Sequence, residues 1–403
     1  MLMADDIRLR PAAGQEDVAR LREYVAAAEG AEGLAALERH LARPRARPEF
    51  TRLAERGGEI VGYALVAHRR LRLGAATLES GVIERIYAGP AQRDADVLSA
   101  LVVDCVGALY EQAIPLATLR GPAGLYARFG FAPYLLRSRV YLDTTGSAEA
   151  AALPPGGLRA LEAGDLEELS ALYEASYGAV PLAEARAAPD WRLLAERGET
   201  LACRDRSGRT VGYARIEPGA DGALLVVEAA AADAGAARLL LAGVLARGAA
   251  VLLAPPGHVV AQAGLQLGGE LRLAAAPRAP DEPVALAGVV SLPLALEALA
   301  PELERRLAGS RYAGWSGSLR LELDSGRATL MFSGGRLSVV DGTRPADVRL
   351  RRLTLDALAQ LLLGYRAAAD LRADGGLDCD DTELGLVDAL FPVLGACEGA
   401  ESP

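Results

Sequence analysis

The tetrapeptide Val61-Gly62-Tyr63-Ala64 returns as Val211-Gly212-Tyr213-Ala214, and each copy sits in a strand-like run that precedes a helical one. A repeat of this kind narrows the choice of folds sharply, because a chain that reuses one order of strand and helix builds the same supersecondary unit twice. The 403 residues are also too many for a single core to grow continuously, so several domains are required. A Gly/Ala/Pro-rich stretch, 146–157, separates the two copies, and a third composition begins near Gly288. The expected domains are 1–146, 147–286 and 287–403.

In the first block Ile7–Arg10 alternates as a strand, and Val18, Leu21, Val25 and Ala28 recur at helical spacing over Glu16–Ala28. Glu59–Val66 follows the turn residues Gly57 and Gly58, and a further strand ends at Val82–Tyr87 before Gly89-Pro90. Asp96–Tyr110 reads as an amphipathic helix and Ile114–Leu119 as a buried strand. The second block echoes this with Leu158–Leu161, a helix over Asp165–Tyr177, a strand over Thr210–Ile216 and a helix over Ala231–Leu245. In the third block a helix over Leu292–Leu307 precedes a meander, Gly317–Glu322, Ala328–Phe332 and Arg336–Val340, with Gly334-Gly335 as a hairpin turn. Helices over Leu353–Leu363 and Asp381–Leu390 follow, which predicts an antiparallel sheet covered on one face.

Hydrophobic residues at 51% and charged residues at 24% allow both real cores and a soluble surface. The formal charge is -10, and the basic residues, all 43 of them Arg, are scattered among acids, which argues against a nucleic-acid footprint. Cys105, Cys203, Cys379 and Cys397 are far apart, with three histidines in the whole chain, so neither a zinc site nor a disulfide framework is suggested; the cysteines read as small buried hydrophobes. No apolar run approaches the ~18 residues of a membrane span. The N-terminus opens on Asp5 and Asp6 instead of a basic stretch with an apolar one behind it. A cytoplasmic protein without metal is expected.

Tyr126-Ala127-Arg128-Phe129-Gly130-Phe131, preceded by Pro90-Ala91-Gln92-Arg93, resembles the GCN5-related N-acetyltransferase (GNAT) family. The three-block layout is similar to the enhanced-intracellular-survival (Eis-like) group, bacterial enzymes that acetylate several amines of aminoglycosides. The resemblance implies an α/β fold with mixed α+β sheets: a GNAT domain, a second, degenerate GNAT-like domain and a sterol-carrier-like domain. It implies transfer of an acetyl group from acetyl-CoA to a primary amine of a small or peptide acceptor, and a homo-oligomer. A strand splayed from its neighbour leaves backbone groups that can pair with the pantetheine amides; Ile83–Ala88 is the candidate, with Ile86, Tyr87 and Ala88 as cofactor contacts. Backbone NH groups at the start of the next helix would hold the pyrophosphate, at Gln92, Arg93, Asp94, Ala95, Asp96 and Val97. Gly121 completes the cofactor set. By the resemblance Tyr126 protonates the departing thiolate, a task for which a hydroxyl of pKa about 10 is suited.

Two departures stand against the family pattern. The pyrophosphate loop of the family reads Gln/Arg-x-x-Gly-x-Gly/Ala, whereas this chain has Gln92-Arg93-Asp94-Ala95-Asp96-Val97. A carboxylate 4 Å from a phosphate charge costs ~1 kcal/mol in water and ~4 at an effective dielectric of 20, although Asp94 and Asp96 also suit a helix start. In the survival group the terminal carboxylate, on an aromatic residue, is the base for the acceptor amine. Here that carboxylate belongs to Pro403, at the end of an acidic tail. Glu84 is the other candidate base, acting through water, unless it is a solvated edge charge. The acidic balance of the chain fits a cationic acceptor. The competing readings are a non-catalytic binding or assembly protein with a decayed loop, and lipid binding by the last block, in which Leu353–Leu363 either lines a cavity or is an ordinary core helix.

Overall fold

The computed structural model describes residues 7–42, 48–89, 95–144, 158–195, 199–205, 207–219, 222–275, 281–341 and 345–399. The first third of the chain runs β1 (Ile7–Pro11), α1 (Gly14–Leu41), β2 (Thr51–Arg56), β3 (Glu59–Leu73), β4 (Ala76–Ala88), α2 (Ala95–Glu111), β5 (Leu116–Pro122), α3 (Ala123–Tyr126) and β6 (Ala132–Pro133). Next come β7 (Arg137–Leu142), β8 (Leu158–Ala160), α4 (Leu166–Tyr177), α5 (Ala188–Ala195), β9 (Glu199–Arg204), β10 (Thr210–Pro218) and β11 (Leu224–Ala231). They are followed by α6 (Ala234–Leu245), β12 (Ala250–Leu253), α7 (Val259–Gln266), β13 (Glu270–Ala274) and β14 (Pro283–Val289). The tail adds α8 (Leu292–Ala308), β15 (Gly317–Leu323), β16 (Gly326–Ser333), β17 (Arg336–Asp341), β18 (Val348–Leu350), α9 (Leu355–Leu362), α10 (Ala368–Ala373) and α11 (Asp381–Leu390). Two compact units result: one takes the chain up to Leu71, Ala75–Tyr134 and Ala279–Val393, the other Arg72–Gly74, Leu135–Arg278 and the chain from Leu394.

In the first unit, strand alternation sorts side chains into two cores, one on each face of the sheet. Ala54, Ala64 and Val66 pack under Leu101, Val102, Cys105 and Leu109 of α2, while Leu53, Tyr63 and Leu65, one residue out of step, pack against Leu21, Val25 and Leu37 of α1. The helix expected over Glu16–Ala28 continues to Leu41, passing Gly30 at φ 67, ψ -153. Only glycine takes that conformation without strain, so Gly30 bends the element without ending it.

The two seven-stranded sheets share one order. The first reads β1-β2-β3-β4-β5-β14-β6 and the second β8-β9-β10-β11-β12-β7-β13, so the duplication announced by the repeated tetrapeptide extends over every strand. The sixth position is exchanged. β14, which follows the second copy in the chain, pairs with β5 along its whole length from Pro283↔Pro122 to Val289↔Leu116. β7, which follows the first copy, pairs with β12 and β13.

The tail forms a four-stranded sheet, β17-β16-β15-β18. It is mixed, not wholly antiparallel as expected, because β18 runs parallel to β15 through Leu319↔Val348 and Leu321↔Leu350. α9 packs on β14 and β6, its residues Ala357–Leu362 are buried, and Gln360 Nε2 donates to the Pro133 carbonyl at 3.2 Å. That is a core helix. All four cysteines are buried and unpaired.

In the second unit His258 caps α7 by accepting from the Val260 amide at 3.4 Å, and its ring stacks on Tyr177 at 4.6 Å. Burial holds its pKa down, from 6.5 to about 4. The unfolded chain therefore takes up a proton that the folded one refuses, so the stability is complete above pH ~6.5 and falls as pH drops towards 4, by up to about 3 kcal/mol. Asp17, Asp165 and Glu302 are held near 2 and lose their contributions only in stronger acid. We expect the melting temperature to fall between pH 7 and 4.5 and His258→Gln to remove most of that fall; an equally steep fall in the variant would assign it to other groups.

Candidate active site

β4 and β5 are parallel neighbours over a short stretch only, from Ser80↔Leu116 to Ile83↔Leu119. Beyond it, Glu84–Ala88 and Arg120–Pro122 are no longer ladder partners, while β5 keeps β14 on its other edge to the end. The residues singled out as cofactor contacts, Ile86, Tyr87 and Ala88, thus lie on a strand edge that has lost its partner on this side. Unpaired backbone donors and acceptors inside a sheet require a partner, and a ligand amide can be one. The strand is irregular here. Glu84 and Arg85, adjacent in sequence, both reach side chains of α1, which a regular two-residue alternation would forbid.

Tyr126 closes the β5 side of this parting. It lies at the end of α3, 8% exposed, edge-on to Phe131 with ring centroids 6.3 Å apart. Gly121 makes room for it: a Cβ there would meet the Tyr126 ring at 2.5 Å. Burial alone raises the Tyr126 hydroxyl above its ordinary pKa, so it stays protonated at neutral pH. Half-buried Ile86, Ala123 and Phe129 pack against the same core as Tyr126.

Of the expected pyrophosphate residues, Gln92, Arg93 and Asp94 lie outside the described residues. Ala95 and Asp96 are exposed in the first turn of α2, and Val97 is buried at 1%. The residues alone did not assign a role to Arg128. Its Nη2 donates to Ser99 Oγ at 2.6 Å, one turn into α2, so a guanidinium stands near the helix start. The signal was present, since Arg128 lies inside the aromatic-glycine motif, but nothing local says where the side chain ends.

On the α1 side, Glu84 is engaged by Arg69 at 3.3 Å and by His40 Nδ1 at 3.4 Å, and His40 Nε2 lies 3.3 Å from Thr51 Oγ1. Beside them Glu29, the residue before the Gly30 bend, accepts from the Tyr63 hydroxyl and from Arg85 Nε at 3.0 Å. Tyr24, Tyr63 and Tyr87 cluster with centroids 6.0 to 6.4 Å apart. Pro403 lies outside the described residues. The last described segment belongs to the second unit, where the Glu398 amide donates to the Leu136 carbonyl at 2.9 Å.

The second unit repeats the parting and fills it. β11 and β12 pair only from Leu224↔Ala250 to Val226↔Leu252. Past that point the Ala229 carbonyl accepts from the Tyr177 hydroxyl at 2.9 Å, with His258 stacked behind. The start of α6 is capped by its own Asp233, which accepts from the Ala236 amide at 2.8 Å.

Residues 6–134 match the family described as acetyltransferase (GNAT) domain. Among solved structures, a GCN5-related N-acetyltransferase from Kribbella flavida aligns at TM-score 0.70 with 18% identity, over 97% of this chain and 98% of that one. One from Anabaena variabilis aligns at 0.69 with 17% identity, over 98% of each. Eis1 from Mycobacterium abscessus aligns at 0.63 with 18% identity, over 98% of this chain and all of that one, 100%. At such identities the likeness establishes the fold, which is of the GNAT type along the chain. No curated protein matches by sequence.

The Glu29 carboxylate ties the bend of α1 to β3 and β4. Its loss leaves Arg85 unpaired, and breaking a fully buried pair costs ~3–5 kcal/mol; Arg85 keeps 30% of its side chain in solvent, so we expect Glu29→Ala to cost about 2 kcal/mol by urea denaturation. A change within experimental error would show that the bend holds without it.

Proposed function

We propose that the protein is an acyl-CoA-dependent N-acetyltransferase whose reaction takes place in the first unit. The observation that carries this reading is the parting of β4 and β5 beyond Ile83 and Leu119, with a protonated Tyr126 at its side. The edge of Ile86–Ala88, past the last ladder pair with β5, suits the amides of a pantetheine arm, and the start of α2 with Arg128 suits its phosphates. The acceptor nitrogen attacks the thioester carbon, the C–S bond breaks with its electron pair passing to sulfur, and the Tyr126 hydroxyl delivers its proton there. The proton released by the amine goes to Glu84, whose carboxylate is already held by His40 and Arg69; Pro403 is the second candidate for that role. The second unit, its parting plugged by Tyr177, serves as structure. This reading takes 287–403 as a sterol-carrier-like domain and the enzyme as a cytoplasmic homo-oligomer acting on a cationic amine.

Acetyl-CoA at saturation should raise the melting temperature by several degrees. No shift at millimolar concentration favours the alternative, a binding or assembly protein in which Asp94 and Asp96 have spoiled the loop. With turnover established, Tyr126→Phe should lower kcat about 100-fold and leave the affinity for acetyl-CoA nearly unchanged, since the lost proton acts in the transition state; undiminished kcat removes Tyr126 from the mechanism.

Arg128→Ala should raise KM for acetyl-CoA about tenfold at nearly constant kcat, the effect of one lost charge-assisted contact. An unchanged KM would place the phosphates elsewhere.

A further inference from the structure

Every cation in this chain other than histidine and the N-terminus is an arginine, and the edge of the guanidinium formed by Nε and Nη2 is where the molecule repeatedly holds carboxylates. Arg52 does so to Asp104 at 2.6 and 2.9 Å, Arg10 to Glu55 at 3.0 and 2.8 Å, and Arg305 to Glu302 at 2.7 and 2.7 Å. These parallel donors match the two oxygens of one carboxylate.

Arg320 in β15 breaks the pattern. It is 6% exposed, its Nη1 reaches Glu322 at 3.3 Å, and both Nε and Nη2 are buried without a hydrogen-bond partner. Among the described residues it is the one arginine with both atoms of that edge in this state. Its cross-strand partner is Thr329 of β16, fully buried at 0%, with Oγ1 likewise unpartnered. On the other side its neighbour in register is Arg349 of β18, which is exposed on the edge strand. Residues opposite one another on adjacent strands point to the same face, so an exposed cation, a buried cation and a buried hydroxyl stand in one row, running inward from the sheet edge. The Glu322 carboxylate, itself a third exposed, reaches only Nη1, so the Nε–Nη2 edge stays buried without a bond, and orphaned donors of this kind call for an occupant.

We propose that this row is a binding site for a small organic carboxylate. Nε and Nη2 of Arg320 grip its two oxygens, the Thr329 hydroxyl donates a further bond, and Arg349 draws the anion in from the edge of β18. The site lies in the tail sheet and does not depend on the activity proposed for the first GNAT fold.

The test is thermal melting and calorimetric titration of the full chain, without coenzyme, with sodium acetate and sodium butyrate against sodium chloride and sodium phosphate at matched ionic strength. We expect either carboxylate to raise the melting temperature by a few degrees over chloride. Arg320→Lys keeps the charge and loses the fork, and should bind at least tenfold more weakly; Thr329→Val should weaken binding several-fold. Arg320→Met removes the two orphaned donors, and should melt higher than the parent in chloride and ignore the carboxylates. The proposal fails if carboxylates and chloride act alike on the parent protein, if Arg320→Lys responds as the parent does, or if phosphate stabilises and the carboxylates do not.

Discussion

The backbone groups that β4 and β5 stop sharing beyond Ile83 and Leu119 set the terms for the rest of this molecule. A sheet that parts in its middle leaves donors and acceptors in a place where water is scarce, and each must be answered by something. The two GNAT-type folds answer differently. In the second, Tyr177 reaches the Ala229 carbonyl, His258 stacks behind it and Asp233 caps the following helix. In the first, the same edge is bordered by Tyr126, half-buried Ile86 and Phe129, and a guanidinium near the helix start. One topology thus yields a copy whose parting takes a tyrosine of its own chain and a copy whose parting is bordered by Tyr126 and Arg128.

Charge is handled in both copies by a tyrosine, a carboxylate and an arginine. The repeated tetrapeptide places Tyr63 and Tyr213 at equivalent points on β3 and β10. Tyr63 donates to Glu29, which pairs with Arg85; Tyr213 donates to Glu228, which Arg186 grips at 2.9 and 2.5 Å. The carboxylate comes from a helix in the first case and from a strand in the second, while the grouping survives. Arg186 and Glu228 both have fully buried side chains, and the arginine also lies 4.2 Å over the Tyr173 ring. Such a pair contributes little net stability but is costly to break, so it fixes an arrangement more than it strengthens one. Exposed pairs such as Arg272–Glu270 contribute ~0–1 kcal/mol. Arg320, with neither kind of partner on its Nε edge, stands out for that reason.

Local pattern carried much of the fold. The odd and even residues of Leu53–Ala54 and Tyr63–Val66 separate the two cores just as alternation requires, and α2, α6, α8 and α11 fall close to their apolar periodicities. Apolar spacing fails within α1, where Gly30 and Gly33 interrupt it, and gives no sign of β2, whose polar Thr51, Arg52 and Glu55 hide a strand paired on both edges. Nor does anything within Val348–Leu350 record the direction of the strand beside it, so the parallel pair in the tail sheet is not legible there.

Taken alone, the residues decide many of the strands and helices, that one unit occurs twice, and that Tyr126 sits in an aromatic-glycine motif, since each of these is written in neighbours a few positions apart. Folding decides the matters that depend on distant partners: that β7 and β14 change sheets, that β4 and β5 separate, that Glu84 meets His40 and Arg69, and that the Nε edge of Arg320 is left without a hydrogen bond. Alternation tells a side chain which face to take but not which sheet its strand will join. A charge likewise carries no record of the residue, tens or hundreds of positions away, that will stand opposite it.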